Sequence, residues 1–306
     1  MQFKPSDVLR FLIAIALAIV VLGFIALCVI VHQRGATATA PVVAGSTATA
    51  SRPEACGTGP AAGAAANKAA LDTLAWAPFR GRAETGWRTY APLVARAIGT
   101  RCEPESPGFA AALAAWQRAH GLPADGVLTD EVFARLNAEL ELRRPFVRVT
   151  ATGVCPSPPA ETTLATAAPA DSYGGMTLRL RPAALTAYRA MVAAARVEDP
   201  RTAADPQVLT LFSGYRSPEA DGGRCAREGN CGSAVRANCS AHRTGLAIDL
   251  NLGAAPGSRP DSSDDANRLY LSRTPAYRWL VANADRFGFV NYPFEPWHWE
   301  WVGEAP

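Results

Sequence analysis

The stretch that decides the fold is Ser240-Ala-His-Arg-Thr-Gly-Leu-Ala-Ile-Asp-Leu-Asn-Leu252. From Leu246 onward it alternates. Leu246, Ile248, Leu250 and Leu252 point one way, while Ala247, Asp249 and Asn251 point the other, which is the period of a strand. Asp249 therefore lies inside an apolar strand, where a carboxylate is costly unless it is paired or bound to a metal. Gly245 permits a tight turn that folds His242 back over this strand, so that two ligating side chains converge.

Downstream, Glu295-Pro-Trp-His-Trp-Glu-Trp301 repeats the pattern. Pro296 is expected to bend the chain before a last strand over Trp297–Val302. His298 and Glu300 then share one face, with Trp297, Trp299 and Trp301 on the other, and Glu295 aims across the bend at the same point as His298. Upstream, a short strand over Val208–Phe212 delivers Ser213-Gly-Tyr-Arg-Ser217. Two His and one carboxylate leave an open fourth position on zinc, the pattern of a catalytic site. The expectation is one Zn2+ per chain held by His242, Asp249 and His298. Glu295 would be the base that moves a proton, and Arg216 a donor for the oxygen that becomes negative. Helical spacing predicts helices over Pro182–Val197 and over Tyr277–Phe287, the latter ended by Gly288. Helices mixed with short strands, with no βαβ rhythm, give an α+β class.

Further out, residues 71–142 read as a small helical module. Helices are expected over Tyr90–Ile98, over Gly108–His120 with Phe109, Leu113 and Trp116 on one face, and over Asp130–Leu140 capped by Thr129. Residues 143–171 are a Pro-rich connector, and 172–306 form the C-terminal domain. Residues 35–70 read as an Ala/Thr/Gly/Pro-rich linker, with helix possible near Ala61–Ala70 and continuing into Leu71–Trp76. Residues 1–34 are a cytoplasmic tip and an anchor. Phe11–Val31 carries no charge over 21 residues, about 31 Å as a helix at ~1.5 Å per residue, enough to cross a bilayer. Lys4 and Arg10 precede it, which favours an N-terminus inside and the bulk outside.

The chain has 306 residues, 30 Lys+Arg against 27 Asp+Glu, and a net charge of +3. No basic cluster marks a nucleic-acid binder. Apolar residues at 49% exclude wholesale disorder. Six of the seven cysteines (Cys56, Cys102, Cys155, Cys225, Cys231 and Cys239) follow the anchor, an even number that suits disulfides in an oxidising compartment. The crowding of Cys225, Cys231 and Cys239 suggests a local bridge.

Together the strings S-G-Y-R-S, S-x-H-x-x-G-x-A-x-D and E-x-W-H, all intact and in order, resemble the zinc D-alanyl-D-alanine carboxypeptidases of the VanY type. The resemblance spans about residues 172–303. It implies a hedgehog/DD-peptidase-like fold, the zinc ligands and base already named, Arg216 on the substrate carbonyl, and Ser240, Tyr215 and Ser213 as substrate contacts. Phe109 to Leu140 resembles part of a three-helix peptidoglycan-binding domain, with Trp116 where Phe is usual. The function implied is hydrolysis of D-Ala-D-Ala or nearby bonds in peptidoglycan stem peptides, at the inner membrane, with the catalytic domain in the periplasm or cell envelope. An endopeptidase or D,D-dipeptidase is the alternative within the enzyme class. A wall-binding scaffold with an inactive peptidase domain is the alternative outside it. No protein partner is read from the sequence. Two departures stand out: a Cys- and Gly-rich insertion between Ser217 and Cys239, and Glu300 where the family often places Arg.

Overall fold

The computed structural model describes residues 55–79, 81–228 and 239–305. The apolar run Phe11–Val31 and most of the expected linker lie outside them. Among the described residues no helix is long and apolar enough to cross a membrane.

Ala is the best helix former, and the Ala-rich tail of the expected linker forms helix α1 (Ala61–Ala70). It is part of the folded body. Asn67 is fully buried and bonds Gly126 O and Leu128 N, and a Cys56–Cys102 disulfide ties its approach to the next elements. The helix does not continue as expected. After a turn, the chain forms an antiparallel hairpin, β1 (Ala75–Phe79) and β2 (Arg82–Thr85). Helices α2 (Ala91–Ala97), α3 (Pro107–Ala119) and α4 (Asp130–Leu142) follow at the expected places. The Ser106 and Thr129 side chains accept from Phe109 N and Val132 N and so cap α3 and α4. Trp76, Trp87, Tyr90, Phe109, Leu113 and Phe133 fill the core of this module.

The expected connector also carries structure. Helix α5 (Pro145–Thr150) buries Phe146. Strand β3 (Ala165–Thr166) pairs with β4 (Arg179–Leu180). Helix α6 (Pro182–Glu198) buries Leu185, Tyr188 and Met191 along one face, and a short α7 (Pro200–Ala203) follows. Strand β5 is shorter than expected and begins at Leu211 (Leu211–Ser213). Leu209, fully buried, takes φ 68°, a left-handed conformation that interrupts the extended chain.

Helix α8 (Pro218–Glu228) opens the insertion. The remaining elements are β6 (Ala247–Leu250), α9 (Asp265–Ser272), α10 (Pro275–Asn283), β7 (Phe289–Tyr292) and β8 (Glu295–Trp301). Four strands make one antiparallel sheet in the order β5-β6-β8-β7. Ile248, Leu250, Trp297 and Trp299 join Leu185, Tyr188 and Tyr277 in the main core under one face. The other face is covered too, because Phe146 packs on Ala241 and Ala247. All four residues of β6 are therefore buried despite the alternation.

Helical module and C-terminal part share a seam. Leu93 of α2 belongs to the main core, and Leu140 of α4 packs against both cores. Phe79 meets Tyr292 and Phe294. Arg268 of α9 binds Glu84 of β2 at 3.0 Å with both side chains buried, and also contacts the Tyr90 hydroxyl.

Candidate metal centre and active site

The metal-ligand candidates are set by strand register. Asp249 on β6 is the cross-strand partner of His298 on β8 and of Ser213 on β5. Side chains of directly opposed residues stand on the same face, about 5 Å apart at Cβ. His298 Nδ1 lies 2.9 Å from Asp249 Oδ1. His242 arrives from a 3₁₀ turn, Ala241–Thr244. Gly245 then reverses the chain into β6 at φ 71°, and a Cβ there would press on Arg181 and Leu164 at 3.2 Å. This places His242 Nε2 3.2 Å from Asp249 Oδ2, while His242 Nδ1 lies 2.8 Å from Gly214 O. One ligand atom each from His242, Asp249 and His298 lies within 4.8 Å of the others, and all three residues are buried.

Glu295 begins β8 instead of preceding it across a bend, so the last strand starts two residues earlier than expected. Pro296 is accommodated within the strand, next to the irregular register between Asn291 and Tyr292. Glu295 Oε2 still lies 4.0 Å from His298 Nδ1, with 31% of its side chain open to solvent. Arg216 follows β5. Its Nη2 lies 3.8 Å from Asp249 Oδ2 and donates to Ser213 Oγ at 3.3 Å.

The charges are strongly coupled. Burial and the nearby Arg216 guanidinium push the His242 imidazolium down to about 4. Burial opposes ionisation of Asp249, but the two imidazoles hold its carboxyl well below the usual range. His298 goes the other way. Burial disfavours its charge, yet Asp249 and Glu300 raise it to about 9. Burial raises the Glu295 carboxyl above its ordinary 4.5, with the Asp249 charge adding to it. Two imidazoles and one carboxylate, converging and buried, fit a zinc ion.

The expected substrate contacts are placed differently. Ser213 Oγ lies 3.4 Å from His242 Nδ1, at the edge of the cluster. Tyr215 meets Arg179, whose guanidinium lies 5.8 Å from its ring. Ser240 is engaged elsewhere: its hydroxyl and its N–H both donate to Asp221, at 2.8 and 3.2 Å. Asp221, buried on α8, also lies 3.6 Å from Arg216. The insertion thus reaches the site through Asp221, a residue the sequence reading passed over. Asn291 was passed over as well; its side chain donates to His298 O at 2.9 Å.

A sequence profile for the VanY family, D-alanyl-D-alanine carboxypeptidase, matches residues 177–304. By this match the C-terminal part is similar to a VanY-type domain. A peptidoglycan-binding domain profile matches residues 105–136, which cover α3 and most of α4. None of the curated proteins matches the chain. Among solved structures, the LdcB LD-carboxypeptidase is 26% identical over 41% of this chain and 60% of its own, with a TM-score of 0.30. A mutant of the vancomycin-resistance D,D-pentapeptidase VanY, in complex with Zn(II), is 23% identical over 48% and 83%, with a TM-score of 0.29. VanYB in complex with D-alanine-D-alanine is 23% identical over 48% and 82%, with a TM-score of 0.28. The matched family confirms the recognition made from the three strings. The disulfide Cys155–Cys239 ties the end of the insertion to the connector, and Cys225 is disulfide-bonded too.

Proposed function

We propose that this protein is a zinc-dependent peptidase that removes the terminal D-Ala from peptidoglycan stem peptides. The observation that carries the reading is the convergence of His242, Asp249 and His298 within 4.8 Å, with Glu295 and Arg216 beside them. His242, Asp249 and His298 would hold the ion. Zinc bound there supplies Lewis acidity, which polarises a carbonyl and acidifies water.

The protein's own groups do the rest. Glu295, with its raised carboxyl and open edge, accepts a proton from the attacking water and returns it to the leaving amine. The water's oxygen joins the carbonyl carbon, and the C–N bond breaks. Arg216, fixed by Ser213 and Asp249, offers guanidinium N–H groups to the oxygen that gains charge. Ser240 supports the site by holding Asp221 in place instead of touching substrate. We further propose that the module over 71–142 holds the enzyme to peptidoglycan, and that Phe11–Val31 anchors it in the cytoplasmic membrane with the catalytic domain outside.

The test is incubation of the zinc-loaded full chain with a pentapeptide ending in D-Ala-D-Ala, with products read by mass spectrometry. Chelator-sensitive release of one D-Ala is the expected result. Cleavage only within the stem or a cross-bridge would replace the carboxypeptidase reading with the endopeptidase one. Absence of zinc and of any product would leave a wall-binding scaffold.

A further inference from the structure

Glu300 stands two residues after His298, on the same face of β8, and is 1% exposed. A buried carboxylate needs donors, and here they come from outside the VanY-type domain. Arg144, 2% exposed and set between α4 and α5, gives Nε to Glu300 Oε1 at 2.7 Å, with Nη2 also 2.7 Å from Oε1. Phe146 N donates to Glu300 Oε2 at 2.9 Å. Arg144 is itself held by Glu141 Oε2 at 2.7 Å and lies 4.0 Å over the Tyr292 ring.

Glu300 Oε1 also lies 3.5 Å from His298 Nε2, a buried nitrogen for which no closer partner is present among the described residues. The opposite nitrogen, Nδ1, faces Asp249 at 2.9 Å. Metal-binding His residues commonly donate their second N–H to a carboxylate, which fixes tautomer and ring orientation.

We infer that Arg144 and Glu300 are positioning residues of the metal site: Arg144, from outside the peptidase domain, fixes the Glu300 carboxylate so that it takes the His298 Nε2–H and leaves Nδ1 for the metal. This rests on the zinc reading above. It makes the end of the helical module part of the site's scaffold, because the segment that leaves α4 supplies the clamp.

The test uses the full chain. Zinc affinity is measured by competition with a chromophoric chelator, and the His298 tautomer by 15N NMR of the zinc-loaded protein. Wild type should show the proton on Nε2. Glu300→Gln keeps an acceptor but loses the charge and should weaken zinc binding about tenfold. Because Arg144→Ala alone would strand a buried carboxylate, the second variant is the double substitution Arg144→Met/Glu300→Met, which leaves an apolar pair. It should fold and lose about a hundredfold in zinc affinity, at the upper end for such partners. Both variants within twofold of wild type, with the tautomer unchanged, would overturn the inference. Absence of zinc binding by wild type would instead overturn the zinc reading, so the two failures are distinguishable.

Discussion

Two regions of this molecule bury charge in opposite ways. In the row Ser213–Asp249–His298, with His242 beside it, two imidazoles crowd one carboxylate, His242 Nε2 at 3.2 Å and His298 Nδ1 at 2.9 Å from Asp249. In the seam between the helical module and the VanY-type domain, charges are closed: Arg268 sits against Glu84 at 3.0 Å and Arg144 against Glu300 at 2.7 Å. Two imidazoles that turn ring nitrogens on one buried carboxylate present the donor set of a metal site, whereas each seam carboxylate is matched by a guanidinium. The seam holds. Arg268 Nε also donates to Phe294 O, one residue before Glu295, so both clamps grip the β7–β8 hairpin that carries Glu295 and His298.

This contrast can be broken most severely at the row. Glu295→Ala should cut turnover by about 10²–10⁴-fold or more while zinc content stays at one per chain. Turnover within tenfold of wild type would remove Glu295 as the base. At the seam the effect should fall on stability instead. Arg144→Ala leaves Glu300 buried and unpaired and should cost about 3–5 kcal/mol in urea unfolding; a loss under about 1 kcal/mol would mean that the clamp holds nothing.

The pH dependence sharpens the same contrast. Glu295 must be ionised to accept a proton, and its carboxyl lies above its ordinary 4.5. The acid limb of kcat/KM should therefore fall above pH 4.5, and a limb at or below that value would contradict the raised carboxyl. Glu300 is shifted the other way. Burial resists its charge, but Arg144, then His298 and the Phe146 N–H, hold it down to about 2. Its folded pKa is depressed, so its contribution to stability is present above about 4.5 and is lost as pH falls toward 2. The seam should thus loosen at acid pH, seen as a falling melting temperature across that window. The smallest effect belongs to Ser240→Ala. It removes one hydrogen bond to Asp221, worth about 1.5–3 kcal/mol to a charged partner. KM should change little, whereas a rise of tenfold or more would restore Ser240 as a substrate contact.

The row was legible because its information is local. His242 and Asp249 lie seven residues apart around Gly245, and Glu295 and His298 lie three apart in one strand. The alternation around Ile248 and the indoles of β8 showed which face was free for chemistry. The helices over 91–97, 107–119, 130–142 and 182–198 were legible from caps and apolar spacing. The seam was not, since Arg144 and Glu300 are 156 residues apart and Glu84 and Arg268 are 184 apart. No periodicity links such pairs. Glu300 drew notice only as a departure from the family pattern, and its partner lay in a stretch read as connector. The start of β5 was misplaced because a left-handed Leu209 leaves no mark in composition. Ala61–Ala70 was assigned mainly to linker because it lacks large apolar residues; its burial rests on Gly63, Ala64 and Asn67.

The most direct test of the zinc site is anomalous diffraction at the zinc edge from crystals of the zinc-loaded full chain. The account predicts one peak per chain, bounded by His242, Asp249 and His298, with Glu295 beside it. A peak held by cysteines, or none at the β6–β8 row, would contradict it.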